Sequence, residues 1–310
     1  MSFQGKNYWA VILGGSSGFG LATAKALSQA GMNICIAHRD RRGSMERINA
    51  EFDEIRKNKI ELITFNIDAL SEEGRTEVLN ELTSKMGEGK VRVLLHSIAF
   101  GNLKLLAPLK EPGKTAAQLL AEKTGYESEK INQAINELFQ EGNDSFHTVA
   151  DPAIYNNDLL VDDEDLQNTI FSMGTSYYTW AKDIFKRKMF ADDARMFGLT
   201  SEGNEVAWKG YAAVAAAKVA MEALSRSMAS EMGPYGIRSN IIQAGVTDTP
   251  ALRHIPGNKQ ISANARLRNP LGRLTEPKDV GNVIKLMAMD ESKWINGTII
   301  RVDGGEHISG

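Results

Sequence analysis

The sequence predicts an α/β fold: a doubly wound parallel sheet forming a single domain. Two observations carry that expectation. Short apolar runs alternate with stretches of helical periodicity along most of the 310 residues, and strand–helix–strand order forces parallel pairing through right-handed crossovers. A glycine-rich turn, GGSSGFG at 14–20, also sits between the first apolar run and the first helical stretch, the setting of a phosphate-cradling turn.

The elements follow in order. YWAVIL (8–13) reads as the first strand. In GLATAKALSQAG, Leu21, Ala24 and Leu27 share one helical face and Gly31 ends the helix. NICIA (33–37), a polar helical stretch and IELITFN (60–66) come next. Ser71 starts a further helix with acidic residues in its first turn, and KVRVLLHSIA (90–99) is the fourth strand. The rhythm then breaks. Residues 101–165 contain two short helical patterns, then an acidic loop-like tract, and no strand signal. So long a segment predicts a helical insertion, either a lid or an oligomer contact. One long helix is expected around DLQNTIFSMGTSYYTWAKDIFKRKMF, followed by the strand ARMFGLT, the alanine-rich helix containing YAAVAAAK (211–218), the strand IRSNIIQAG (237–245), the helix EPKDVGNVIKLMAM and the strand TIIRVDGG.

Composition narrows the function. The formal net charge is -3, with 24% charged residues and 42% hydrophobic ones. No basic excess points to nucleic acid, and no apolar run approaches the ~20 residues of a membrane span. Without a signal-like N-terminus, a cytoplasmic protein is expected, and the NGT sequon at Asn296 carries no weight. The single cysteine, Cys35, excludes an intramolecular disulfide and a multi-cysteine zinc site. The five histidines are scattered without an HExxH pattern, so no metal is expected.

The glycine turn has the spacing G-x-x-x-G-x-G over Gly14, Gly18 and Gly20. A plain tight turn is the competing reading. Yet GGSSGFG, together with the C-terminal NPLGRLTEPKDVGNVIKLMAMDESKWINGTIIRVDGG, resembles the short-chain dehydrogenase/reductase family from residue 8 to the C-terminus, the insertion apart. The resemblance implies a Rossmann-like sheet of about seven strands and a nicotinamide dinucleotide held by Gly14, Ser16, Ser17, Gly18, Phe19 and Gly20. IAHRDRR ends the second strand. Arg39 suits a ribose 2′-phosphate, while Asp40 is late for the acid that would bind a 2′-hydroxyl. NADPH is therefore expected ahead of NADH; a solvated charged turn is the alternative. Asn66 and Ile67, in FNID, stand where the family approaches the adenine. Ser97, Ile98 and Ala99, in HSIAFG, follow the fourth strand. Gly245, Thr247 and Thr249, in QAGVTDTPAL, resemble the family's loop over the nicotinamide, and residues 250–268 are expected to contribute to a substrate lid.

YAAVAAAK bears on the chemistry, with amphipathic packing and a snorkelling surface lysine as the competing reading. Most of the family uses Tyr-x-x-x-Lys, but Val214 stands four residues before Lys218, and Tyr211 stands seven before it. This Tyr-x6-Lys spacing, with HSIAFG, resembles bacterial enoyl-acyl-carrier-protein reductases. Residues seven apart lie two helical turns apart on one face. The resemblance implies that Lys218 holds the nicotinamide ribose and Tyr211 hydrogen-bonds the thioester oxygen while hydride reaches the β-carbon. Ser201 lies seventeen residues before Lys218, where many enoyl reductases have a second tyrosine and most of the wider family has its serine. It is a third catalytic candidate, with a turn-capping serine as the alternative. The expected activity is NADPH-dependent reduction of the 2,3 double bond of an acyl thioester on acyl carrier protein or coenzyme A, by a homotetramer. The alternatives are a ketone or aldehyde reductase of the same fold and, from another class, an inactive cofactor-binding regulator.

Overall fold

The computed structural model describes residues 2–110 and 113–309. Seven parallel strands form one sheet: β1 (Tyr8–Leu13), β2 (Asn33–His38), β3 (Leu62–Asn66), β4 (Lys90–His96), β5 (Phe190–Ser201), β6 (Ile237–Ala244) and β7 (Ile299–Val302), in the order β3-β2-β1-β4-β5-β6-β7. The doubly wound fold is as the sequence predicts. The chain winds outward from β1 to β3, then returns to lay β4 beside β1. The winding direction reverses there, opening a crevice at the strands' carboxyl ends.

Alternation along each strand explains the two helical layers. Val11, Leu13 and Cys35 face α3 (Glu72–Met86), α7 (Ser176–Lys186) and α8 (Ala212–Glu231), where Leu79, Trp180 and Met221 complete one core. Ala10, Ile12, Ile34 and Ile36 face α1 (Gly18–Gln29), α2 (Met45–Arg56) and α11 (Pro277–Ala288) in the second core. With both faces covered, the strands read as continuous apolar runs.

Two expectations need correction. The single helix expected over 165–190 is α6 (Asp163–Ile170) and α7, joined by a π turn at Phe171–Thr175. Gly174 in that turn lies against the Ala217 backbone, so the widened turn sits where two helices come into close contact. Its C-terminal end is also shorter than expected, because Phe190 already begins β5.

The insertion forms α4 (Ala116–Thr124), α5 (Ser128–Gln140) and a 3-10 turn at Asp144–Thr148. It has a small core of its own, Ala117, Ile135 and Ala150. It docks on α10 (Asn258–Arg268), which follows the short α9 (Pro250–Arg253). Arg266 Nε and Nη2 each donate to an Asp144 carboxylate oxygen at 2.6 Å, and Gln260 donates to the Asp151 carbonyl at 2.8 Å. Among the described residues, no helix is long and apolar enough to cross a membrane.

Candidate active site

An open cleft lies at the carboxyl ends of β1, β4, β5 and β6. Gly14, Ser17, Gly18 and Phe19 line it from the β1–α1 turn, Ser97, Ile98 and Ala99 from the end of β4, and Gly245, Thr247 and Thr249 from the loop after β6. Ser201, Tyr211 and Lys218 line its far side. These sequence candidates thus converge from four parts of the chain, whereas Ser16, Gly20, Arg39, Asn66 and Ile67 do not line the cleft. The lid contributes Leu252, Ile255 and Ile261, which give the cleft an apolar wall.

The glycine turn is a cradle. Gly14 has φ +83°, and a Cβ there would fall 2.4 Å from the Ser97 carbonyl oxygen. Ser17 caps α1 without spending its hydroxyl on the helix. The Gly14 N–H is committed to the Ala37 carbonyl at 2.8 Å, while Gly18 and Phe19, in the first turn of α1 where N–H groups lack partners within the helix, line the cleft. Gly20 differs from its expected role. It does not line the cleft, and a Cβ there would meet the Gly14 carbonyl oxygen at 2.2 Å, so it lets α1 pack against the turn. Ser16 is buried beside it and also does not line the cleft.

Toward the outer strands, Asn66 is committed elsewhere. Its amide donates to the Asp40 carbonyl (3.0 Å) and accepts from the Asp40 N–H (2.9 Å), stapling β3 to the turn after β2. Ile67 packs on the core. The Asp40 carboxylate sits 2.9 Å from His38 Nδ1. Arg39 is half-exposed, pairs with Asp68 at 3.2 Å and stacks 4.6 Å from the Phe100 ring centroid. It therefore leans across the end of β1 from β2 toward the segment after β4.

At the far side, Tyr211 is not on the helix but caps it: α8 begins at Ala212, and Tyr211 has φ −108° and ψ 1°. Its hydroxyl is 3.2 Å from Ser201 Oγ. Burial raises its pKa, and the Ser201 hydrogen bond works against that rise. Gly203 makes room for the ring, since a Cβ there would lie 2.4 Å from Tyr211 Cε1. Val214, at the four-residue spacing from Lys218, is buried with Met173 and Ala217. Lys218 is buried and donates from Nζ to the Leu199 carbonyl at 2.8 Å. An ammonium has three protons, which leaves two for a ligand in the cleft. Burial draws its pKa down to about 8, and Glu222 opposes that fall.

Sequence reasoning missed several neighbours. Glu222 accepts from Asn204 at 2.7 Å and from the Thr200 hydroxyl. His96 is buried against Ser176 (2.7 Å) and held neutral, its pKa lowered to about 3 by burial and by the Lys218 charge. Arg268 in the lid helix grips Glu202 with two nitrogens (2.8 and 2.6 Å) and Glu306 with one (3.1 Å). The Lys-x-x-x-Glu spacing on α8 is a signal that could have pointed to Glu222; the other contacts join segments far apart in sequence.

The comparisons agree with this architecture. Residues 127–307, well over half the chain, match the family model described as enoyl-(acyl carrier protein) reductase, and residues 8–116 match the short chain dehydrogenase model. The chain is 26% identical to the 3-oxoacyl-(acyl-carrier-protein) reductase FabG of Pseudomonas aeruginosa over 71% of this chain and 89% of that protein. It is 34% identical to the NADH-dependent enoyl-(acyl-carrier-protein) reductase FabI of Escherichia coli, but over only 40% of this chain and 47% of that one. It is 24% identical to an NADPH-dependent aldehyde reductase-like protein of Arabidopsis thaliana over 96% and 93% of the two chains. A dehydrogenase/reductase crystal structure from Sinorhizobium meliloti superposes with a TM-score of 0.70 at 21% identity, covering 98% and 96%. A likeness at that identity speaks for the fold alone.

Proposed function

The chain belongs to the short-chain dehydrogenase/reductase family, and from that premise we propose that it reduces the 2,3 double bond of an enoyl thioester carried on acyl carrier protein or coenzyme A. The observation that carries the reading is the phenol in the cleft. Tyr211, seven residues before Lys218, lines it beside Ser201, whereas the four-residue position holds the buried Val214. A phenol displaced by that much suits an oxygen separated from the reduced carbon by two further atoms.

The family binds NAD(P)(H), and the residues present fit such a dinucleotide. Its pyrophosphate would be held by Gly14, Ser17, Gly18 and Phe19, with Thr247 and Thr249 opposite, and its ribose by Lys218. NADPH is the proposed form, because Arg39 stands at the end of β2 while the Asp40 carboxylate is occupied by His38. The reduced nicotinamide, when bound, supplies hydride for the β-carbon. Tyr211 donates a hydrogen bond to the thioester oxygen as negative charge gathers there, and burial makes that bond stronger than it would be in water. Its proton, replaced from solvent, passes to the enolate, which becomes the saturated thioester once the α-carbon is protonated. Ser201 orients the Tyr211 hydroxyl. Lys218 adds positive potential beneath the site. Leu252, Ile255 and Ile261 offer an acyl chain an apolar wall. The insertion braces that wall through Asp144 and Arg266, and exposed Phe171, Tyr178 and Val219 on the α7–α8 side suit the proposed homotetramer.

One observation favours a second reading, a ketone reductase of the same fold: Ser201, at the wider family's serine position, hydrogen-bonds the tyrosine. Deuteride tracing separates the two. With 4-deuterated NADPH and a mixture of crotonyl and acetoacetyl thioesters, label at C3 of a saturated butyryl product supports enoyl reduction. Label only at the carbinol carbon of a 3-hydroxy product supports the ketone reductase and overturns the first reading.

A further inference from the structure

We propose that Glu222 is a positioning residue that sets the Ser201–Tyr211 pair from outside the cleft; this rests on the reductase reading given above. Glu222 lies one helical turn beyond Lys218 on the same face of α8. It is 7% exposed and does not line the cleft, so it acts only through its neighbours. A carboxylate this buried must be hydrogen-bonded. One oxygen, Oε1, takes both donors: Asn204 Nδ2 at 2.7 Å and the Thr200 hydroxyl.

The position of those donors is the argument. Thr200 immediately precedes Ser201, and Asn204 follows it by three residues. The carboxylate therefore pins the 200–204 segment from both sides, with Ser201 between the two fixed points. The same segment contains Gly203, against which the Tyr211 ring rests. Lys218 adds a third fixed point just upstream, through its bond to the Leu199 carbonyl. Lys218 and Glu222 thus fasten the end of β5 to α8 over residues 199–204. What they hold in register is the hydroxyl pair, 3.2 Å apart, and the wall that aims the phenol. The Glu222 charge also favours the Lys218 ammonium.

Three variants test this with crotonyl-CoA and NADPH as the probe. In Glu222→Ala, kcat is expected to fall about tenfold or more, the cost of loosening a positioned group. At pH 6, well below the Lys218 pKa of about 8, the KM for crotonyl-CoA and the Kd for NADPH, read by fluorescence titration, should stay within about threefold. Glu222→Gln retains the acceptor oxygen and is expected to keep kcat within about threefold of the wild type. Thr200→Val removes one donor at constant shape and should give an intermediate loss, which keeps the idea testable if Glu222→Ala does not fold. A folded Glu222→Ala with wild-type kcat overturns the proposal. So does a Gln variant as impaired as the Ala variant, or an unchanged kcat in Thr200→Val. Wild-type enzyme inactive on crotonyl-CoA in the same assay instead overturns the enoyl-reductase reading on which the proposal rests, a distinct outcome.

Discussion

The Ser201 and Tyr211 hydroxyls lie 3.2 Å apart across the end of β5 and the start of α8, and Lys218 lies beneath them with its Nζ on the Leu199 carbonyl. This arrangement joins a serine at the wider family's position to a tyrosine at the seven-residue spacing. Tyr211 and Lys218 make separate demands that variants can test.

Tyr211→Phe keeps the ring that packs against Gly203 and removes only the hydroxyl. Loss of a positioned proton donor is expected to lower kcat about a hundredfold. NADPH affinity, measured by fluorescence titration, should stay within about twofold, because the hydroxyl meets Ser201 and the proposed substrate rather than a group that holds the cofactor.

Lys218 gives a pH signature. Its pKa is lowered from 10.5 to about 8, mainly by burial, so the free protein carries the cation below that pH and loses it above. NADPH affinity and kcat/KM should therefore both decline as the pH rises through about 8. Lys218→Met should weaken binding at every pH and remove this limb. A limb that persists in Lys218→Met assigns it to another group.

Gly203→Ala would set a Cβ 2.4 Å from Tyr211 Cε1, closer than atoms pack, so the ring must shift. A displacement of this size is expected to cost about 10- to 100-fold in kcat. Circular dichroism and NADPH titration should show an intact, cofactor-competent protein.

The β2–β3 side has its own test. Arg39 pairs with exposed Asp68 and stacks on Phe100, contacts that cost little to exchange for a phosphate. Arg39→Glu is expected to weaken NADPH binding about tenfold or more, the worth of a charged hydrogen bond, while NADH binding changes little. Equal losses for both cofactors would mean that Arg39 does not read the 2′-phosphate.

Much of this was legible in the sequence, for physical reasons. A sheet covered on both faces writes itself as apolar runs, and the β1–α1 glycines mark a turn that no bulkier residue fits. Tyr211 and Lys218 are close in sequence, so their spacing carries geometry directly. Even so, the helix period put Tyr211 on α8, whereas it is the capping residue just before it. What stayed hidden depends on long-range pairing. Asn66 reads as a cofactor contact until Asp40 is seen to use both sides of its amide. Arg92 and Arg195 interrupt their strands as charges, yet both are fully buried around Asp193 at the opposite end of the sheet. The insertion shows two helices in its pattern, but nothing local reveals that Asp144 meets Arg266 more than a hundred residues away.

The most direct measurement is the kcat/KM ratio for crotonyl-CoA over acetoacetyl-CoA, followed by loss of reduced-nicotinamide absorbance with NADPH and with NADH. An enoyl-thioester reductase built on Tyr211 and Lys218 gives a ratio well above one, with NADPH the better donor. A ratio below one, or no turnover of crotonyl-CoA with either cofactor, contradicts it.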